Sequence, residues 1–261
     1  MSTLIRDYER FAKEAKEICK GRVYTDHLRR YAYGVDASCY SYLPKVVVKA
    51  EDEREVRRLI RLCQQCGTPF TFRAAGSSLS GQCSSEDVLI VCNDGFKKME
   101  VIDDGKALKC ECGVIGSDAN DLLKPYNRKI GPDPATLATA LVGGILNNNS
   151  SGMCCGTAQN SYKTIRSIRV VLLDGSILDT SDQKSIDQFL KEKPQMVEDL
   201  LQLRKDILAD EELTHLIHHK YKIKNTTGYG LNSLVDFEDI IDIINHLFIG
   251  SEGTLGFVSE V

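Results

Sequence analysis

The run from Lys45 to Gly81 places the strongest constraint on the fold. "KVVVKA" is a short β-branched stretch of the kind that forms strands. In the segment after it, Val56, Leu59, Ile60 and Cys63 recur at helical spacing among charges. Asp52 followed three residues later by Glu55 is a capping-box start for that helix, and Gly67 marks its end. "PFTFR" then reads as a second strand and completes a β-α-β unit of roughly 30 residues.

From the second strand hangs "RAAGSSLSGQC", residues 73 to 83. Gly76 and Gly81 free this backbone to bend, Ser77, Ser78 and Ser80 offer hydroxyls, and Arg73 offers charge. Bare amides in a turn after a strand form a concave nest suited to anionic oxygens such as a pyrophosphate. The loop has neither the Lys-Ser/Thr of a Walker loop nor G-x-G-x-x-G with a helix behind it, which disfavours an NAD-type fold. Taken alone, the same residues also make an ordinary turn.

With 261 residues and 42% hydrophobic content, the chain can bury a full core as one large domain or two small ones. Its net charge of −4, with both signs interspersed, recommends neither nucleic acid nor an anionic membrane as partner. No apolar stretch approaches the roughly 20 residues of a membrane span, and the charged first segment is no signal peptide. The expected location is cytoplasmic. The ten cysteines therefore read as buried thiols rather than a disulfide framework. Cys63 and Cys66 fall on the predicted helix, and Cys110 and Cys112 alternate on a predicted strand. No C-x-x-C-x-x-C run marks an iron-sulfur cluster.

Residues 1–42 read as an amphipathic helical arm, with Leu4, Ile5, Tyr8, Phe11, Ala12, Ala15 and Cys19 on one stripe, followed by a connector. Tyr24, Tyr31, Tyr33, Tyr40 and Tyr42 crowd that connector and are expected to pack as amphipathic filler. "VLIVC", "FKKMEVI" and "ALKCECG" read as strands, with a turn at Asp104-Gly105, and "VIGSDANDLLK" as a helix, closing a first region at 43–124. A second region, 125–261, contains a hairpin turning at Asp174-Gly175 and an inserted helical segment at about 183–222. His215, His218 and His219 fall on that segment without the glutamate of H-E-x-x-H, so a solvated face is expected and no metal site.

Two further stretches are poor in side chains. "KIGPDPATLATALVGGILNNNSSGMCCGT" is too long for an idle loop. Pro132 and Pro134 stiffen it around Asp133, and Gly143-Gly144 removes side chains where a flat ring could lie against main chain. Asn148 and Asn149 add donors and acceptors for the polar edge of such a ring. "GSEGTLG" is a third polar turn. Three such bends suggest one extended ligand, with phosphate toward one end and an aromatic ring elsewhere.

In "YGVDASCYSYLPKVVVKA", "RAAGSSLSG", "GPDPATLATALVGGILNNNSSGMCCGT", "NTTGYGLNSLVDF" and "GSEGTLGFVSEV" the chain resembles the PCMH-type (vanillyl-alcohol-oxidase-like) FAD family, in the branch of D-lactate dehydrogenase, glycolate oxidase and D-2-hydroxyglutarate dehydrogenase. The resemblance implies an α+β or α/β fold of two FAD-binding subdomains, 43–124 and 125–261, clasping FAD. Arg73, Ala75, Gly76, Ser77, Ser78 and Leu79 would serve the pyrophosphate, with Gly81 completing the turn. Pro132, Asp133, Pro134, Gly143, Gly144, Asn148, Asn149, Ser151 and Gly152 would line the flavin and its ribityl chain, and Glu252 and Gly253 would close the far side. Asn147 stands where relatives often carry a small residue, and Ser151 replaces a frequent Gly. Covalently flavinylated cousins carry a His in the first loop, where this chain has Gly76-Ser77, so FAD should be held non-covalently.

The same resemblance implies a dehydrogenase that takes a hydride from a small 2-hydroxy acid and passes electrons to an iron-sulfur, quinone or cytochrome-linked acceptor. It also implies a longer enzyme, with a cap domain and any iron-sulfur domain downstream and any contact with the inner membrane peripheral. This stretch alone would then bind FAD and turn substrate over poorly, its catalytic residues lying elsewhere. The competing readings are a PCMH-type reductase or alcohol oxidase, and a non-catalytic module binding a nucleotide or a partner.

Overall fold

The computed structural model describes residues 6–226 and 228–261. Helix α1 (Tyr8–Ile18) buries Phe11, Ala12 and Ala15, as its stripe requires; Leu4 and Ile5, expected on that stripe, lie outside the described residues. Strand β1 (Val23–Tyr24) and helix α2 (His27–Ala32) lead to β2 (Val46–Lys49), α3 (Glu53–Cys66), β3 (Phe70–Arg73) and β4 (Val88–Val91). These strands form a sheet in the order β1-β2-β4-β3, with β4 parallel to both neighbours and β1 antiparallel to β2. The β-α-β unit thus straddles a third strand. Residues 88–91 are buried throughout, as a central parallel strand with both faces covered demands.

The helix in that unit starts and stops where its residues dictate. Asp52 accepts the Glu55 N–H at 2.8 Å, and the Glu55 carboxylate reaches back to the Glu51 N–H at 2.8 Å, one residue beyond the usual capping-box partner. At the other end Gly67 takes φ +63°, which only glycine adopts without strain. Val56, Leu59, Ile60 and Cys63 lie in the core between α1 and the sheet.

The second half begins with the hairpin β5 (Met99–Ile102) and β6 (Ala107–Cys110), then α4 (Gly116–Leu123), α5 (Val142–Asn148) and α6 (Ser161–Thr164). The hairpin β7 (Arg169–Leu172) and β8 (Ile177–Asp179) follows. Helices α7 (Gln183–Glu192), α8 (Pro194–Ala209) and α9 (Glu211–Lys220) make up the helical insertion. Helices α10 (Ser233–Asp236) and α11 (Ile240–Leu247) then lead to β9 (Gly256–Glu260), which pairs antiparallel to β7. The β5-β6 hairpin and the β8-β7-β9 sheet are joined by an antiparallel bridge, where Cys110 and Val261 exchange N–H···O bonds of 2.8 Å and the Cys112 N–H meets Ser259 O at 2.9 Å.

Two expectations change here. Residues 142–148, read as part of a loop, form α5: Val142, Ile145 and Leu146 carry a helical period that Gly143-Gly144 and the asparagines conceal. The connector tyrosines divide. Tyr24 and Tyr33 stack and pack against the buried outer face of the first sheet, whereas Tyr31, Tyr40 and Tyr42 stay exposed.

The two sheets meet through Phe72, Phe96 and Phe257, whose rings lie 5.1 and 5.3 Å apart across the junction. Beside them Arg169 of β7 holds Glu53 of α3 by two hydrogen bonds of 2.7 and 3.0 Å, and Ser259 Oγ–H donates to the same carboxylate. The junction leaves the end of β3, the end of β6, the start of β9 and helix α5 around one cleft.

Candidate functional site

That cleft holds a cavity of about 490 Å³, within the range of small-molecule and cofactor sites. Ala75, Gly76, Ser77, Ser78 and Leu79 form one wall; Gly143, Gly144 and Asn148 of α5, with Pro134 and Ser151, form another; Glu252 and Gly253 close a third. Stretches far apart in sequence are thereby brought together. Phe72, Ile145, Phe257 and Val258 give the floor its apolar character.

The first wall owes its shape to Arg73. This side chain folds back under its own loop, where its guanidinium donates to Tyr33 O at 3.2 Å and Val35 O at 2.7 Å and faces the Tyr33 ring at 5.9 Å. Two of its five N–H donors, expected for phosphate, go to backbone carbonyls instead. A Cβ at Gly76 would sit 2.3 Å from that guanidinium, and Gly76 has φ +76°, so both space and conformation require glycine. The Ser78 N–H faces the Cys83 sulfur, whereas those of Ala75, Gly76, Ser77 and Leu79 meet no acceptor among the described residues, which leaves them for anionic oxygens.

On the second wall the two glycines of the pair lie against different neighbours. A Cβ on Gly143 would approach the Cys112 Cβ to 2.6 Å, so this glycine lets α5 pack on the end of β6; Gly144 lies against the Ala74 Cβ in the cleft. Asn148, expected to address a ring edge, donates to Glu252 Oε1 at 2.6 Å and accepts from Ser150 Oγ–H at 2.8 Å. Ser151 Oγ is buried without a hydrogen-bond partner among the described residues, a polar atom suited to a ligand.

Five expected residues stand behind the cavity rather than on its wall. Gly81 packs under the Tyr40 ring, with its Cβ position 2.7 Å from Tyr40 Cδ2. Pro132 is buried beneath the loop. Asp133 accepts the amides of Gly152, Cys155 and Cys154 at 2.9, 3.1 and 3.2 Å, and a Cβ on Gly152 would collide with Asp133 O at 1.9 Å. Hydrogen bonding from Cys155 above all, opposed by desolvation and reinforced by the Gly152 amide, holds the Asp133 carboxyl down at about 2. Asn149 closes α5 with φ +51° and turns to a separate hollow lined by Tyr162, Lys163 and Asp236. These residues shape the loop; they do not face its contents.

Several residues on the wall had no expected role. Gln82 accepts from Ser78 Oγ–H at 2.5 Å and donates to Glu252 Oε1 at 2.9 Å. Asn147 Nδ2–H donates to Gly143 O, and the Asn147 backbone carbonyl accepts the Glu252 N–H, tying α5 to the third turn. Lys224 donates to Ser151 O at 2.6 Å from the segment after the helical insertion. Gln82 and Asn147 lie beside motif residues, where their polar side chains were the available signal; Lys224 sits 73 residues from its partner and carries none. Burial raises the Glu252 carboxyl above the usual range, and the bonds from Gln82 and Asn148 only partly offset it.

Size, free amides, an unpartnered hydroxyl and an apolar floor fit a dinucleotide with an aromatic ring. A family described as FAD binding domain matches residues 44–181, just over half of the chain. The D-2-hydroxyglutarate dehydrogenase of Haemophilus influenzae is 23% identical over 249 residues, spanning 92% of this chain and 24% of that protein. The D-lactate dehydrogenase of Archaeoglobus fulgidus is 24% identical over 219 residues, spanning 82% of this chain and 37% of that protein. The chain thus spans about a quarter to two-fifths of the curated relatives it matches. Among solved structures, alkyldihydroxyacetonephosphate synthase superposes with a TM-score of 0.64 at 18% identity over 100% of this chain and 41% of its own. p-Cresol methylhydroxylase superposes with a TM-score of 0.56 at 16% identity over 66% of this chain and 35% of its own. Among the described residues no helix is long and apolar enough to cross a membrane, and no cluster of three metal-ligating side chains occurs. With the sequence match covering more than half its length and the fold in agreement, the chain belongs to the FAD binding domain family.

Proposed function

We propose that this chain is the FAD-holding part of a flavin-dependent dehydrogenase acting on D-2-hydroxy acids of the D-lactate or D-2-hydroxyglutarate kind. The observation that carries the reading is the convergence of three bends, 75–79, 143–151 and 252–253, on one cavity. The names of the sequence relatives support the substrate class. Bound there, FAD would supply the hydride acceptor.

The chain's own residues would bind and shield it. The amides of Ala75, Gly76, Ser77 and Leu79 meet the diphosphate, and Ser151 Oγ–H donates to the cofactor. Lys224 holds Ser151 and adds positive charge to the cleft. Phe72, Ile145 and Phe257 keep water from the ring's surroundings. Asp133 keeps the 152–155 turn folded behind the wall.

The test is reconstitution. Purified protein mixed with FAD and passed through a desalting column should stay yellow, quench flavin fluorescence, and release intact FAD on denaturation, as non-covalent binding requires. A colourless protein that leaves FAD fluorescence unchanged overturns the proposal. The substrate class is read on the whole native polypeptide carrying this sequence. Its flavin colour should bleach anaerobically with D-lactate or D-2-hydroxyglutarate and not with the L enantiomers.

A further inference from the structure

We infer that Glu252 serves this cleft as a neutral carboxylic acid, taking up one proton from solvent as FAD binds. The inference rests on the reading of the cleft as an FAD site. It starts from an asymmetry in the hydrogen bonds of this side chain. Gln82 Nε2–H and Asn148 Nδ2–H both donate to Oε1, at 2.9 and 2.6 Å, and no donor among the described residues reaches Oε2. Both lone pairs of Oε1 are thereby filled while Oε2 meets no donor, so Oε2 is the oxygen that can carry a proton once a ligand fills the cleft.

The surroundings point the same way. Among the described residues no cation pairs with Glu252: the Arg73 guanidinium donates to Tyr33 O and Val35 O, and the Lys224 ammonium to Ser151 O. The remaining titratable groups on the cleft wall are the thiols of Cys83, Cys92 and Cys112, each made a weaker acid by burial and hence uncharged at neutral pH. Burial already favours the protonated form of Glu252. A diphosphate placed in the same cavity adds like charge and favours it further.

The backbone adds a separate argument. Glu252 has φ +54°, a left-handed conformation that a side chain disfavours, and the next residue, Gly253, has φ +78°. A glycine at 252 would relieve this strain. A long acid held there by two amides indicates a role for the carboxyl group itself. Through Gln82 it is also linked to Ser78, on the wall whose free amides face the cavity.

Proton uptake is measured by calorimetric titration of FAD into the protein at pH 7.5 in phosphate and in Tris, whose ionisation enthalpies differ. The observed enthalpy should differ between buffers by close to one proton per FAD bound. The dissociation constant should rise by about tenfold per pH unit across the upper part of the transition. In Glu252→Gln the amide oxygen still accepts from Gln82 and Asn148, and its NH2 replaces the acid O–H. This variant should keep FAD affinity within a few fold at pH 6, show no buffer dependence, and bind with a flat pH profile from 6 to 8.5. Circular dichroism melting verifies that it is folded. FAD binding without proton uptake in the wild type, or uptake that persists in Glu252→Gln, overturns the inference alone. A wild-type protein that binds no FAD at any pH overturns the proposed function as well.

Discussion

At the scale of single residues, polar groups expected to face a ligand are often spent inside the protein. Arg73 and Asn148 both sit at the cleft, yet Arg73 gives two of its donors to Tyr33 and Val35 and Asn148 gives one to Glu252. Asp133 is the clearest case of a residue acting from behind the wall. Asp133→Ala should weaken FAD binding by about tenfold or more and lower the melting temperature at neutral pH, since it leaves three amides of one turn without their acceptor. The pH dependence follows from its lowered pKa, with the sign fixed by linkage. Its stabilisation is complete above the ordinary aspartate range near about 4 and is lost as pH falls through about 2, so the gap between wild-type and Asp133→Ala melting curves should close on acidification. Thiol reactivity provides a second check at this scale. Burial pushes Cys63 and Cys110 up to about 12, whereas Cys39 and Cys154 are exposed. Ellman's reagent on the native protein, followed by mass mapping, should label Cys39 and Cys154 first and reach the core thiols only in denaturant.

At the scale of elements, α3 shows how far local chemistry goes. Its start at Asp52, its stop at Gly67 and its buried face were all legible, because caps and periodicity act within a few residues of the chain. Urea unfolding should show Asp52→Ala costing about 1 kcal/mol, Gly67→Ala a similar amount, and Leu59→Ala, fully buried, about 2–5 kcal/mol. Helix α5 shows the opposite. Glycine and asparagine lower helix propensity, and the seven-residue helix over Val142–Asn148 owes its existence to contacts with Cys112, Val114 and the third turn. Nothing within the stretch itself announces those partners.

At the scale of the whole molecule, the cleft exists because two sheets are locked at one junction. Glu53 of α3 is held between Arg169 of β7 and Ser259 of β9. Desolvation pushes its carboxyl up, but the hydrogen bonds from Arg169 and Ser259 and the charge of Arg169 outweigh it, so its pKa lies below the usual range. Arg169→Met should therefore cost about 1–3 kcal/mol, between the values for surface and buried pairs, and weaken FAD binding by loosening the junction. Because the Glu53 pKa is lowered, the wild-type advantage is complete above the ordinary glutamate range near about 4.3 and is lost below it, as pH falls through the lowered folded-state pKa. Urea unfolding at pH 7 and pH 3.5 measures both effects.

By itself the sequence determined the local elements and the family: the capped helix, the hairpin turns, the helical insertion and the three side-chain-poor bends are all written in short-range patterns. Tertiary structure alone decided that β4 enters between β2 and β3, that 142–148 coils into a helix, and which polar groups of the bends face inward. The physical reason is range. Caps, periodicity and turn chemistry are settled by neighbours along the chain, whereas strand order and the partners of Arg73, Asp133 and Glu252 depend on groups tens to hundreds of residues away, which only the folded chain brings into contact.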